Sequence, residues 1–511
     1  MTEDEHRGWY AALKSKDARF DGRFFVGVSS TGIYCRPVCR ARLPKEENCT
    51  FYSTAAEAEQ AGYRPCLICR PELAPGRSIT DAKSSLVRRA TRLLEENCGS
   101  GLSLDTLAGR LGCTDRHLRR VFGEEYGVTP VQYVQTMRLL LAKSLLTDTN
   151  LSATEVAMTA GFGSLRRFND LFKKHYRMSP TALRKQTINN RRHEEIRLSL
   201  GYRPPYRWNE MLNFFAGRAI SGVEVVRDDA YYRTAHFISS KSEHLRGWIK
   251  VGNNEKKNAL SLSLSPNLLT VLPQILARVR HLFDLYCVPD VVAEALQSMN
   301  NLNSGLFKEG IRVPGCFDAF EMCVRTVLGQ QITVKAAGTL AARLAKALGE
   351  PLAEPLCEPR AEPLCEPRAE PLEVDGLTHT FPTPEALLAL GNELENRLGS
   401  LGIISARART IRELARTFVD GSIDYSSSAH PEKEMEKLLA LPGIGNWSAH
   451  YIAMRAMGWP DAFLETDYGV KKALEPYLES TAPRQVRELS ESWRPWRSYA
   501  TVALWNSLAH S

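Results

Sequence analysis

Leu441-Pro-Gly-Ile-Gly-Asn446, with Asp467 further along, is the stretch that decides how this chain is read. An apolar, charge-flanked run (Met435 to Ala440) precedes the glycines, and a second apolar run (Trp447 to Met457) follows them. Both runs read as helices, so the stretch is a tight corner between them. Gly443 and Gly445 are free to take positive φ and to expose backbone N–H groups. A turn of this kind at a helix N-terminus is an anion site, and a phosphate is the expected anion. Asp467 lies across the second helix and a loop containing Pro460, just beyond that clamp. The plainer reading is a glycine corner between two core helices with a solvated aspartate. The spacing of Asp467, and Trp493-Arg-Pro-Trp-Arg-Ser-Tyr499 behind it, weigh against it.

This segment resembles the helix-hairpin-helix of DNA glycosylases, and Phe463-Leu-Glu-Thr-Asp-Tyr468 is similar to the catalytic-aspartate segment of that superfamily.

A chain of 511 residues implies two to four domains. An apolar share of 43% is ordinary for globular chains, and a net charge of +8 points only weakly to an anionic partner. No apolar run is long enough to span a bilayer, and MTEDEHRGWY lacks the apolar region of an export signal. The expectation is a cytoplasmic bacterial protein, nucleoid-associated, with no membrane contact. In a reducing compartment the 12 cysteines favour metal or reactive thiols over disulfides.

Residues 1–75 hold Cys35-x3-Cys39 and Cys66-x2-Cys69, two close pairs suited to one tetrahedral Zn²⁺. Arg23-Phe-Phe-Val-Gly-Val28 reads as a strand, and Arg36, Arg40, Arg42, Arg64 and Arg70 crowd the thiols. A purely structural zinc site is the bland reading, but the arginines would draw a phosphate close to sulfur. Gly32-Ile-Tyr-Cys35-Arg-Pro-Val-Cys39-Arg-Ala-Arg42, with Gly62-Tyr-Arg-Pro-Cys66-Leu-Ile-Cys69, resembles the N-terminal domain of the Ada family. The resemblance implies that Cys35 is nucleophile as well as ligand, taking the methyl group of a DNA methylphosphotriester irreversibly, with Arg36, Arg40 and Arg42 on the DNA side. A thiolate suits that soft electrophile, and its methylation removes negative charge from a DNA-facing surface. Cys49 has no partner at ligand spacing and is left outside the site.

Residues 80–188 are helical and internally repeated. Leu102 to Gly112 with Thr114 to Phe122, and Leu151 to Gly161 with Ser164 to Phe172, each combine a Ser-capped helix, a corner glycine and a basic second helix. The segment resembles the AraC-type DNA-binding domain. Candidate groove residues are Arg116, Arg119 and Arg120 in the first unit and Ser164, Arg166 and Arg167 in the second, with Lys173 and Lys174 toward phosphate.

Residues 189–203 read as a linker. Beyond it, alternating runs around Ala235, Gly247 and Ala259 read as strands, followed by an amphipathic helix from Leu272 to Tyr286. Pro205-Tyr-Arg-Trp-Asn-Glu-Met-Leu-Asn-Phe-Phe215, Pro314-Gly-Cys-Phe-Asp-Ala-Phe320 and Leu328-Gly-Gln-Gln-Ile332 resemble the bacterial AlkA glycosylase. That implies a small antiparallel α+β subdomain at 204–290 and a helix-hairpin-helix glycosylase core at 291–511. The fold class is therefore multidomain, mainly α with α+β parts. The resemblance puts Trp447, Tyr451, Trp505 and Trp208 in the base pocket, Gln331 at the wedge position, and Arg497 with the Gly443 and Gly445 amides on phosphate. It makes Asp467 the carboxylate that stabilises the oxocarbenium-like sugar and orients water. Trp447 stands where lyase-type relatives carry lysine, which implies a monofunctional glycosylase. Trp493 and Trp496 read as core. Glu350 to Leu372 is a tandem Pro-rich insertion, read as an extended loop, whose Cys357 and Cys365 are products of duplication.

The reading is an alkylation-damage response protein: methylphosphotriester acceptor, transcriptional activator, and glycosylase for 3-methyladenine and 7-methylguanine type bases. Its partners are alkylated and promoter double-stranded DNA and RNA polymerase. One Zn²⁺, no organic cofactor and a monomeric state are expected. The alternative is a DNA-binding regulator whose glycosylase-like domain is inactive. No Pro-Cys-His-Arg motif is present, so repair of O6-methylguanine is not expected.

Overall fold

The structure, a computed structural model, describes residues 3–76, 85–99, 103–187, 196–239, 243–352 and 375–509. The tandem repeat, with Cys357 and Cys365, lies outside the described residues, as does the first part of the 189–203 stretch.

Strands β1 (Phe25–Val28), β2 (Ile33–Cys35), β3 (Cys49–Tyr52) and β4 (Arg64–Pro65) form a sheet in the order β3-β1-β2-β4. All of β1 is buried because both faces are covered. Phe24 and Val26 cluster with Ala12 and Leu13 of the helix Glu3–Ser15, whereas Phe25 and Tyr34 cluster with Ala58 of the helix Ala55–Gln60. Only β2 and β4 run parallel, with Ile33 opposite Arg64 and Tyr34 opposite Pro65. That register carries Cys35 and Cys66 off the sheet side by side.

The helix-turn-helix units are Leu104–Arg110 with Asp115–Tyr126, and Ala153–Thr159 with Leu165–Tyr176, joined by the helix Pro130–Asp148. Ser103 caps the first unit and Ser152, in a capping box with Glu155, the second. Gly112 and Gly161 turn the corners at φ 71° and 82°. The zinc domain docks on the joining helix through polar side chains. Lys143, 1% exposed, pairs with Glu72, and Arg70 Nη2 and Nη1 reach Asp148 at 2.6 and 2.7 Å.

In the third part, β5 (Ile196–Gly201), β6 (Glu224–Arg227), β7 (Ala230–Ile238), β8 (His244–Asn254) and β9 (Ala259–Leu264) make an antiparallel sheet in the order β5-β9-β8-β7-β6. The linker reading of 189–203 is corrected here: Ile196 to Gly201 pair with Leu264 to Ala259 as an edge strand. Its polar neighbours hid the alternation Leu198, Leu200, Tyr202, whose side chains enter the core. The helix expected over Leu272–Tyr286 stops at Leu282. The chain turns at Asp284, whose backbone is left-handed (φ 50°) and whose carboxylate accepts the Val313 N–H at 3.2 Å.

The helical core carries Ala319–Leu328, Ser405–Asp420, Pro431–Leu439, Asn446–Arg455, Tyr468–Leu474 and Arg497–Ala509 around one apolar cluster. A buried ionic network ties the sheet to it. Arg233 of β7 donates to Glu321 at 2.7 Å, and Arg325 reaches Glu321 at 3.0 Å and Glu224 of β6 at 2.8 Å. Each charge has an opposite neighbour, because a buried charge left alone would cost about 3–5 kcal/mol. No helix among the described residues is long and apolar enough to cross a membrane.

Candidate functional site

The corner at Leu441–Asn446 borders a cleft of about 1630 Å³. Gly443 is left-handed (φ 86°), and a Cβ there would lie 2.1 Å from Thr410 Oγ1, which itself donates to Pro442 O at 3.0 Å. No residue but glycine fits. Gly445 corrects the expectation of positive φ. It is extended (φ −97°, ψ 179°) and caps the helix Asn446–Arg455 with no side-chain hydrogen bond. A Cβ on it would meet nothing within 4 Å, so its value is open backbone at a helix N-terminus. Gln330 donates to Gly443 O at 2.9 Å and to Ser448 at 3.0 Å, fixing its neighbour Gln331 at the mouth of the cleft. Gln331 is exposed and left-handed (φ 55°), a conformation that favours glycine and is held here by the packed hairpin.

Inside the cleft, Asp467 caps the helix Tyr468–Leu474, with Oδ1 accepting the Val470 N–H at 3.0 Å. Two indoles complete its surroundings: Trp505 Nε1 donates to Oδ1 at 2.9 Å and Trp447 Nε1 to Oδ2 at 3.0 Å. Trp447 stacks on Tyr451 at 5.1 Å, one helical turn along, and Tyr451 lies 6.4 Å from Trp505. Behind this wall, Phe214 is 6.2 Å from Trp505 and carries Arg218 over its ring at 3.8 Å. Arg455, 3% exposed, donates to the Tyr451 hydroxyl at 2.7 Å and to Gly315 O at 3.0 Å. Burial would raise the Tyr451 phenol, but Arg455, Arg218 and Arg325 outweigh it and hold it below its ordinary value.

The cleft thus gathers Gly443, Gly445, Gln331, Trp447, Tyr451, Asp467 and Trp505. Two expected residues are not in it. Trp208 is 5% exposed, stacks on Phe283 at 5.6 Å and donates Nε1 to Asp229 at 2.9 Å, so it is a core residue. Arg497 is 6% exposed and is held by Asp461 at 2.7 and 3.0 Å, which leaves it no reach toward phosphate. Trp493 and Trp496 are buried in the core. The sequence reading missed Phe214, Arg218 and Arg455. Phe214 and Phe215 are adjacent in sequence, and only helix phase, fixed by packing, sets Phe214 behind the aromatic wall. The sequence reading also missed Arg407 and Arg409, which line the same cleft on the helix Ser405–Asp420.

His450 positions the aspartate loop, its Nδ1 accepting the Phe463 N–H at 3.3 Å. Burial, with Arg497 adding to it, pushes its pKa down to about 4. The unfolded chain then binds a proton that the folded one refuses between about pH 6.5 and 4. Stability is full above that window and falls through it, by up to about 3 kcal/mol. Tryptophan-monitored melting at pH 7.5 and 4.5 is expected to show a larger drop for wild type than for His450→Gln.

At the other end of the chain, the sulfurs of Cys35, Cys39, Cys66 and Cys69 lie within 4.8 Å of one another. Tetrahedral Zn²⁺ with four thiolates needs sulfurs about 3.8 Å apart, so the cage fits one ion. Backbone N–H groups of Ala41 and Cys69 point to the sulfurs of Cys39 and Cys66, and that of Arg36 to Cys69 Sγ at 3.3 Å. No described backbone hydrogen bond ends on Cys35, which is partly exposed. Cys49 is buried and donates to Lys45 O at 3.3 Å, away from the cage. Arg40 and Arg42 are exposed. Arg36 is corrected: its guanidinium is 11% exposed, clamped to Asp21, and donates to Cys69 O at 3.1 Å, so it braces the cage instead of facing DNA.

In the helix-turn-helix units Arg116, Arg166 and Arg167 are exposed on the second helices. Arg119 and Arg120 are exposed too, each held by a carboxylate of its own helix, Asp115 at 2.9 Å and Glu124 at 2.8 Å. Ser164 is an N-cap whose hydroxyl oxygen accepts the Arg167 N–H at 3.2 Å. Lys173 and Lys174 follow, exposed, in the last turn.

Four family models match in series: the metal binding domain of Ada at 8–72, a helix-turn-helix domain at 107–186, the AlkA N-terminal domain at 197–318, and the HhH-GPD superfamily of base excision DNA repair proteins at 324–496. The chain is 35% identical over 523 residues to a probable bifunctional transcriptional activator/DNA repair enzyme AlkA of Mycobacterium tuberculosis, covering 99% of this chain and 97% of that one. It is also 35% identical over 307 residues to DNA-3-methyladenine glycosylase 2 of Escherichia coli, covering 60% of this chain and 96% of that protein. A third relative, the bifunctional transcriptional activator/DNA repair enzyme AdaA of Bacillus subtilis, is 33% identical over 187 residues, 37% of this chain and 85% of that one. With a zinc cage, two DNA-binding helix-turn-helix units and a hairpin cleft holding a carboxylate in one chain, this protein belongs to the family of bifunctional transcriptional activator/DNA repair enzymes that join an Ada-type domain to an AlkA-type DNA glycosylase.

Proposed function

We propose that this chain senses and repairs alkylated DNA in three linked steps. The glycosylase step is carried by one observation: a carboxylate, Asp467, held by two indole N–H groups inside an aromatic cleft beside an open hairpin. A damaged base must leave the stack to enter such a cleft. Hairpin amides at Gly443 and Gly445 grip the backbone phosphate, Gln331 fills the gap in the duplex, and Arg407 and Arg409 add phosphate contacts. Trp447, Tyr451 and Trp505 offer electron-rich faces to positively charged bases such as 3-methyladenine and 7-methylguanine. As the C1′–N bond breaks, its electron pair leaves with the base, and the Asp467 carboxylate faces the positive charge growing at C1′. The described lining contains no lysine, which supports hydrolysis by water without strand cleavage.

In the zinc domain, bound Zn²⁺ keeps the four sulfurs as thiolates. The Cys35 sulfur attacks the methyl carbon of a methylphosphotriester; an S–C bond forms, the C–O bond breaks, and the phosphodiester leaves as an anion. The thioether lowers the negative charge facing DNA, so promoter affinity rises and the helix-turn-helix units recruit RNA polymerase. The protein acts as a monomer in the bacterial cytoplasm.

One experiment tests the scheme. Wild-type protein is incubated with methylated DNA, and both free purines and promoter affinity at fixed salt are followed. Release of bases without nicking, together with tighter promoter binding, is expected. Absence of base release with folded, DNA-binding protein would sink the glycosylase step, and an unchanged dissociation constant the sensor step.

A further inference from the structure

One helix of the helix-turn-helix part keeps its charged side chains out of water. The helix Ser85–Glu96 packs Val87, Ala90 and Leu94 into the core of the first helix-turn-helix unit. The rest of its surface holds Arg88, Arg89, Arg92 and Glu95. On an isolated DNA-binding domain such residues would be solvated. Here the three arginines are half-buried and Glu95 is buried, with the glycosylase helix Leu272–Leu282 packed alongside.

The partners come from across that boundary. Arg89 Nε donates to Ser428 O. The Arg92 guanidinium stands 3.3 Å from the centre of the Tyr286 ring, and the Tyr286 hydroxyl donates to Glu95 Oε2 at 3.0 Å. The other oxygen of Glu95 accepts the Tyr133 hydroxyl at 3.1 Å, from the joining helix. Gly76, at the end of the zinc domain, closes the remaining side: a Cβ on it would lie 2.3 Å from the Tyr286 ring. All three parts of the chain therefore meet at Tyr286. A half-buried guanidinium and a buried carboxylate must keep their partners, so this contact resists opening.

Tyr286 follows the turn that ends the helix Leu272–Leu282, and two bonds lead from there to the aromatic wall of the cleft. His281 Nε2 donates to Arg455 O at 3.0 Å, and Arg455 in turn donates to the Tyr451 hydroxyl. Asp284 accepts the Tyr499 hydroxyl at 2.8 Å, on the helix Arg497–Ala509 that carries Trp505, the indole bonded to Asp467. Base excision depends on where those rings and that carboxylate stand, and a shift of about 1 Å can cost on the order of a hundredfold in rate. On the glycosylase reading above, we infer that the helix-turn-helix part positions the excision site. Arg92 and Glu95 are positioning residues: they fix Tyr286 and, through His281 and Asp284, the helices that bear Tyr451 and Trp505.

The test uses the full chain in excess over a duplex bearing 7-methylguanine and follows base release across protein concentrations. Arg92→Ala is expected to lower the maximal rate about tenfold, with the half-saturating protein concentration within about twofold of wild type. Arg92→Lys keeps a cation over the ring and is expected to recover most of the rate. An arginine that only stabilised the fold would act the other way. An unfolded fraction raises the half-saturating concentration and leaves the maximal rate unchanged. A maximal rate within about threefold of wild type for Arg92→Ala, or no recovery by Arg92→Lys, overturns the inference. A second measurement needs no substitution in the contact. A protease site placed within residues 188–195 is cut in otherwise wild-type protein, and the two halves are expected to elute together in gel filtration. Halves that separate overturn the inference alone. Uncut wild-type protein that releases no 7-methylguanine overturns the glycosylase reading and the positioning role with it.

Discussion

Asp467→Asn is expected to lose base excision by at least about a thousandfold while still binding DNA. The substitution keeps size and shape but removes the charge that faces C1′. It also disturbs the donors around the carboxylate, which takes three N–H groups, from Val470, Trp447 and Trp505. An amide has one oxygen to accept with, and its NH₂ would face an indole or backbone N–H. The hairpin at Gly443 and Gly445 does not touch Asp467 through any described hydrogen bond, so phosphate binding should be spared. Single-turnover release of 7-methylguanine, with the dissociation constant for the same duplex measured in parallel, separates the two effects. A variant that keeps more than about a tenth of wild-type release would show that charge at this position does not carry the step. Loss of release with loss of binding would point instead to a collapsed loop.

Cys35→Ala is expected to take up no methyl group from DNA bearing methylphosphotriesters, whereas Cys49→Ala takes up one per chain. The contrast is sharp because both thiols belong to the same small domain. Cys49 is buried and bonded to Lys45 O. Within the cage, Cys39 and Cys66 are buried and carry backbone N–H donors, and Cys69 carries that of Arg36. Donation to a sulfur withdraws electron density from it, so these three are poorer nucleophiles than Cys35. Transfer of labelled methyl, followed by peptide mapping, reads the outcome. Label on Cys69 or Cys39 in either variant would reject Cys35 as acceptor. Zinc content measured on the same samples distinguishes a lost nucleophile from an emptied cage.

Much of this was legible in the sequence because its signals are local. Four cysteines in two close pairs specify a tetrahedral cage wherever the strands run. Ser-capped helices with corner glycines repeat whether or not the units pack together, and both turns are left-handed at Gly112 and Gly161. Gly443 is forced by its own backbone angle. The aromatic wall at Trp447 and Tyr451 follows from helical spacing, and Asp467 from its place after the second helix.

Other properties depend on residues far apart in the chain, and there the sequence misled or stayed silent. Nothing near Arg497 in sequence says that Asp461 closes on it, or that Arg36 is taken by Asp21; a basic residue reads as DNA-facing until a carboxylate from elsewhere occupies it. Trp208 has the type and segment of a pocket residue but turns into the sheet core. The edge strand Ile196–Gly201 exists only because β9 offers it a partner. Sequence alone determined which chemistries are present: a four-cysteine cage, two helix-turn-helix pairs, and a hairpin with a carboxylate. Tertiary structure alone decided which charges are left over to act. Pairing of buried guanidinium groups with distant carboxylates silences Arg497, Arg36 and Arg325. Burial makes that choice, because an ionised group out of water must find a partner, and the fold determines which partner is in reach.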